Sequence, residues 1–196
     1  MQQRQWREQL GELVRGLFRS PEMAQFYSTK VTEARARLYL LQLGIYIRQR
    51  RNFWPQVAAN CPELGVKQRI WAHEYEELVE DEHSKKGHID LILRQGKEIG
   101  LTVDDILNAE PLPTTKAAVY GWWWIARHRP WQEALAASTI AQWTNDDRLL
   151  GDIGGGNCTR LAKSWAQDLG LRPEQMPNFV AHSKADEKHS DMFLDV

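Results

Sequence analysis

The sequence predicts an all-α fold, a compact bundle of seven or eight helices, on three observations. Apolar residues recur at three- and four-residue steps in segment after segment. Sustained apolar–polar alternation, the mark of a half-buried strand, is absent. Residues that favour helix starts stand just ahead of the periodic runs.

Segment 5–18 places Trp6, Leu10, Leu13, Val14, Leu17 and Phe18 at helical steps, which predicts an amphipathic helix. Ser20-Pro21-Glu22 then reads as N-cap, first turn and favourable acid of a second helix. Segment 31–50 carries Leu38, Leu40, Leu41, Leu43, Ile45, Tyr46 and Ile47, and a short helix over 52–60 follows, ending near Cys61-Pro62. Segment 66–82 holds an acidic cluster, and after the break at Ser84-Lys85-Lys86-Gly87 the pattern resumes over 88–95. Thr102-Val103-Asp104-Asp105 matches a capping box, and Pro111 and Pro113 close that short element. Segments 114–128 and 130–143 flank His128-Arg129-Pro130; 157–169 and 173–191 complete the pattern, the last started by Arg172-Pro173-Glu174.

One domain over 1–196 is the expectation at this length, with a core large enough to stand without disulfides or structural metal. A net charge of −1 argues against a polyanion binder, so no nucleic acid is expected as a partner. No run approaches the ~18 apolar residues of a membrane span, and Met1-Gln-Gln-Arg-Gln-Trp6 does not read as a signal peptide. Two cysteines are too few for a disulfide framework, which sets a reducing cytoplasm as the expected location. Nine tryptophans are more than packing needs and suit a helical core with an apolar pocket. Charge is also uneven. Residues 1–60 carry ten Lys and Arg against four Asp and Glu, whereas 61–110 carry six against twelve. Such a run is ordinarily a solvated helix face; the sharper alternative is that part of the acidic block coordinates a cation.

His182, Asp186 and His189 stand at i, i+4 and i+7, so a helix projects all three from one face. Imidazole, carboxylate and imidazole form a competent ligand set for iron, manganese or zinc, although one helix supplies only part of a bundle metal site. Glu74, Glu77 and Asp81 share a face of segment 66–82 in the same way, and His88 follows one short break later. The run Gly151–Gly156 lacks the Gly-Lys-Ser/Thr of a phosphate loop and follows no strand, which leaves a flexible loop between helices. Cys158 has no partner for a nucleophile's role and reads as a buried thiol. Trp122, Trp123 and Trp124 cannot all point one way, so at least one ring faces the core.

These residues resemble the haem-oxygenase-like superfamily, which includes the TenA and PqqC proteins and the diiron oxidases and oxygenases. In that group a carboxylate precedes a histidine by seven residues, followed by an apolar stretch and a Leu-Gly-Leu-type turn. Asp81 and His88, Ile89–Leu93 and Ile99-Gly100-Leu101 follow that order here. The family's His-x3-Asp-x2-His pattern is met by His182, Asp186 and His189, and Pro130–Ser138 is similar to a PqqC stretch. PqqC works without metal and does not keep the full histidine–aspartate–histidine set, so the resemblance leans toward the diiron branch. It implies a seven-helix fold with Asp81, His88, His182, Asp186 and His189 as metal ligands for Fe(II), two ions, with O₂ as co-substrate. Two departures stand out. The usual glutamate falls on the shorter Asp81, and the family's further glutamate falls near Ala141 or Gln142, neither a carboxylate. Glu74 or Glu77 substitutes, one iron is held weakly, or the site takes a single metal; Gln142 is the remaining donor at the vacant position.

The expected activity is therefore that of a non-haem diiron oxygenase or oxidase in a biosynthetic pathway. Its small organic substrate would be an amino acid, amine or carboxylic acid, with Trp123 and Trp124 lining the pocket and Arg127 or Arg129 pairing with a substrate carboxylate. Two alternatives stand beside it: a cofactorless TenA- or PqqC-like oxidase or hydrolase using the same cavity, and a non-catalytic binding protein. A homodimer is the default assembly for a compact bundle.

Overall fold

The structure, a computed structural model, describes residues 2–192, without the side chains of 2–4 and 188; Met1 and 193–196, both ends of the domain expected over 1–196, lie outside the described residues. Every regular element among them is helical: α1 (Gln2–Phe18), α2 (Pro21–Ser28), α3 (Glu33–Asn60), α4 (Leu64–Leu78), α5 (His88–Glu98), α6 (Val103–Leu107), α7 (Pro113–His128), α8 (Trp131–Trp143), α9 (Asp147–Leu150), α10 (Asn157–Leu169) and α11 (Pro177–Asp191). Short 3-10 turns occupy Gly151–Ile153 and Pro173–Gln175. The all-α expectation holds. Eleven helical segments replace seven or eight; two of them, α6 and α9, have only five and four residues. No described helix is long and apolar enough to cross a membrane.

The chain divides into two compact units, Glu33–Ser138 and the pair Met1–Thr32 with Thr139–Val196. In the first, α3 packs against α4, α5, α6 and α7. The two helices expected over 31–50 and 52–60 are one, running straight through Pro55. An interior proline removes a backbone hydrogen bond and costs about 3 kcal/mol. Phe53, Trp54 and Val57, at most 1% exposed around it, each gain about 1.5–3 kcal/mol by burial, which outweighs that cost. The capping box at Thr102 and Asp105 forms as expected, through bonds of 2.8 and 3.1 Å. It sets Ile106 into a notch where a Cβ on Gly44 or Gly96 would lie within 2.8 Å of that side chain. On α7 the tryptophans fan out. Trp122 stacks on Phe53, Trp123 meets the same ring edge-on and bonds Gln49, and Trp124 is exposed beside His128.

In the second unit Val14, Phe18, Trp143 and Leu150 form a buried cluster, flanked by Leu10, Met23, Tyr27 and Ile140. The inward stripe of α1 is narrower than expected: Leu10, Val14 and Phe18 pack, whereas Trp6, Leu13 and Leu17 are exposed. Ser20 caps α2 through the Met23 amide, with Pro21 in the first turn. Helices α10 and α11 pack together, with Trp165 edge-on to Phe179. The last segment, expected as one helix over 173–191, is a 3-10 turn followed by α11. Asp146, fully buried, receives Arg148 and Ser190, and Arg7 reaches both Asp146 and Asp191.

Candidate metal centre

Within Glu33–Ser138, His73, Glu74 and Glu77 lie on the last two turns of α4, and all three are buried. The helix stops at Leu78, so Asp81 does not share their helical face, contrary to expectation. Its role is different. Asp81 Oδ1 accepts from the amides of His83 (2.8 Å) and Ser84 (2.7 Å), which folds the chain back in a tight turn. Gly87 completes the reversal at φ 71°, where a Cβ would lie 2.6 Å from the Leu78 carbonyl. Only glycine lets the chain pass so close to the end of α4, and the pass delivers His88 to the start of α5.

His88 is thereby held between two carboxylates, with Nδ1 3.1 Å from Glu77 Oε1 and Nε2 2.8 Å from Asp81 Oδ2. Burial alone would lower its pKa, but Glu77 and Asp81 together raise it to about 9. Burial pushes the Glu77 carboxyl up, yet Arg51 and His88 outweigh it and hold that group well below the usual carboxylate range. Asp81 is lowered too, its burial outweighed by His88 and the two amides. His73 Nδ1 lies 3.1 Å from Glu74 Oε1, and the ring sits 5.0 Å from that of Trp54. Arg51, from α3, sets Nη1 3.3 Å from Glu74 Oε1 and 2.9 Å from Glu77 Oε2.

The second unit holds the other set on α11. His182, Asp186 and His189 are all buried. His182 Nδ1 is 2.9 Å from the Asn178 carbonyl, which can only accept, so Nδ1 carries a proton and Nε2 is the nitrogen left to act as a ligand in the neutral ring. His189 Nδ1 is 3.2 Å from Asp186 Oδ1. The other Asp186 oxygen accepts from Asn145 Nδ2 at 2.7 Å, and Asn145 Oδ1 accepts the Cys158 amide at 3.0 Å. Gln142 is buried one turn before Asn145. Cys158 is buried, and burial followed by the nearby Asp186 and Asp147 pushes its thiol well above the usual range. It is a poor nucleophile.

Trp123, Trp124 and Arg127 lie on α7 of the first unit. The Arg127 guanidinium stacks 4.2 Å above the Trp123 ring, and Trp124 is 56% exposed. Three neighbours escaped the sequence reading. Arg51 pairs with Glu74, 23 positions on, and Asn145 bonds Asp186, 41 positions on, which no local motif reports; His73 sits beside Glu74, where the acidic cluster drew attention to carboxylates alone.

The model of the TENA/THI-4/PQQC family matches residues 17–149. Pyrroloquinoline-quinone synthases from two strains of Klebsiella pneumoniae are 34% identical over 87 residues, 42% of this chain. That match spans 32% of those curated relatives, about a third of their length. Among solved structures, a domain of unknown function from Shewanella denitrificans OS217 with a haem-oxygenase-like fold superposes with a TM-score of 0.71 at 23% identity. It covers 95% of this chain and 74% of its own, a likeness that establishes the haem-oxygenase-like fold. With more than half of its residues under the family model, the chain belongs to the TENA/THI-4/PQQC family.

Proposed function

We propose that the protein is a non-haem iron oxidoreductase, a diiron oxygenase or oxidase acting on a small organic substrate such as an amino acid, amine or carboxylic acid. The observation that carries the reading is the donor chemistry of two buried sets. In each, imidazoles stand beside carboxylates, and second-sphere bonds hold the rings or the carboxylates in place. Imidazole nitrogens and carboxylate oxygens are donors that suit a divalent first-row metal, so the residues present fit one. Glu77, His88 and Asp81, with Glu74 as the further carboxylate, supply one group of ligands; His182, Asp186 and His189 supply the other. When bound, ferrous iron supplies the electrons that activate O₂. The protein residues do the rest: Asn178 fixes the tautomer of His182, and Asn145 orients Asp186.

A cofactorless activity is the second reading. It is favoured by the 34% identity to pyrroloquinoline-quinone synthases and by glutamine at position 142. A cysteine-dependent hydrolase is disfavoured, because Cys158 is buried with its thiol pKa raised and Cys61 is buried as well. Anaerobic loading with ferrous iron and quantification per chain tests the proposal. About two irons are expected for the wild type, falling by at least one in H182A and H189A. Undiminished loading in both variants would sink the assignment, and full turnover after exhaustive chelation would bring the cofactorless reading forward.

A further inference from the structure

Arg50 and Arg51 are neighbours on α3, and their guanidiniums are held in opposite ways. Arg50 donates to the Ser138 carbonyl at 2.9 Å and the Tyr46 hydroxyl at 3.3 Å, and its guanidinium lies 5.7 and 6.0 Å from the Tyr46 and Trp54 ring centroids. Arg51 touches carboxylates only. A single nitrogen, Nη1, lies at ion-pair distance from both Glu74 and Glu77, and neither Nη1 nor the buried Nε makes a hydrogen bond among the described residues. A guanidinium fixed for good beside a carboxylate ordinarily uses two parallel N–H bonds. Arg51 forgoes that fork. It acts here as one positive point set between two buried acids, which is the position and the charge that a ligated cation would take.

We propose that Arg51 is a resident counter-cation that a divalent metal ion displaces from Glu74 and Glu77, so that Arg51 sets how tightly and how quickly these carboxylates take metal. This rests on the metal reading above. A metal ion on Glu74 Oε1 and Glu77 Oε2 would sit against the Arg51 guanidinium that now lies 3.3 and 2.9 Å from those oxygens, and two cations at contact distance in a buried site repel. Neutralising Glu74 and Glu77 while no metal is bound also removes the repulsion between them, so the pair stays buried and ordered until metal arrives. The long, singly anchored side chain of Arg51 can leave without breaking a bidentate pair.

The test uses Mn(II) as a redox-stable probe, titrated into the metal-free full-length protein and followed by loss of the free-ion EPR signal. R51M is expected to bind at least tenfold tighter than the wild type. Metal-free R51M should melt at a lower temperature, and saturating Mn(II) should erase that deficit. In stopped-flow mixing the wild-type uptake rate should level off at high Mn(II), set by the departure of Arg51, while that of R51M stays linear. A folded R51M with unchanged or weaker affinity overturns the proposal. If R51M does not fold, R51Q decides: its amide carries no charge to compete with a metal, so tighter binding than wild type supports displacement, and equal or weaker binding refutes it. Uptake by neither wild type nor variant overturns the metal reading itself, whereas equal uptake by both leaves that reading standing and removes only the role of Arg51.

Discussion

Replacing Gly87 with alanine is expected to cost about 2–6 kcal/mol, a large part of the ~5–15 kcal/mol that holds a typical domain together. The figure has two sources. At φ 71° and ψ 172° the residue occupies a region nearly exclusive to glycine, where a side chain costs about 1–3 kcal/mol. The new Cβ would also lie 2.6 Å from the carbonyl carbon and oxygen of Leu78 and 2.7 Å from the Glu77 oxygen, all backbone atoms that cannot rotate away. Forcing such overlap adds about 1–3 kcal/mol. Gly170 supplies the control. Its φ is 70° and ψ 18°, and nothing lies within 4 Å of its Cβ position, so Gly170→Ala should cost only the left-handed term of about 1–2 kcal/mol. Urea unfolding of wild type, G87A and G170A at constant slope measures both. Equal losses in the two variants, or a smaller one in G87A, would refute the argument that the approach of Gly87 to α4 is what places His88.

Three further outcomes follow from the same geometry. In the metal-free protein His88 stays charged and paired up to about pH 9, whereas in the unfolded chain it loses its proton near 6.5. Its contribution is therefore complete below about pH 6.5 and drains away through pH 9, and urea unfolding should show wild type losing up to about 3 kcal/mol relative to H88Q across that window. Asn145→Ala strips one partner from Asp186 and another from the Cys158 amide, so it should cost about 1–3 kcal/mol by thermal unfolding and weaken iron affinity about 10- to 100-fold by chelator competition. A thiol reagent should modify neither Cys61 nor Cys158 in the native protein and both after denaturation; rapid native modification of Cys158 would contradict its burial.

Local rules made the helix starts legible. Ser20 and Thr102 carry their caps in the chemistry of three or four consecutive residues, and both form as expected. The pattern of α11 was equally direct, since His182, Asp186 and His189 repeat at the helical period. Where tertiary packing overrides a local rule, the reading failed. Segments 31–50 and 52–60 read as two helices, but the buried side chains of Phe53, Trp54 and Val57 hold α3 continuous across both. Asp81 fits the helical spacing of Glu74 and Glu77, yet its side chain bonds the amides two and three residues on and belongs to a turn. Arg51 and Asn145 were invisible because their partners are distant in sequence. A carboxylate cluster can be counted from a sequence; the cation that balances it cannot.

The division of the chain has a consequence for how it is made. Glu33–Ser138 is contiguous and can close its core as it leaves the ribosome. The other unit joins Met1–Thr32 to Thr139–Val196, so α1 and α2 emerge early and must wait. Roughly 100 residues lie between, and at ~5–20 residues per second the delay is about 5–20 s. During it Val14 and Phe18 have neither Trp143 nor Leu150 to cover them. In that interval the apolar stripe of the amphipathic α1 is uncovered and open to a chaperone that holds unfolded chains, and the His182–His189 set is assembled only after that wait is over.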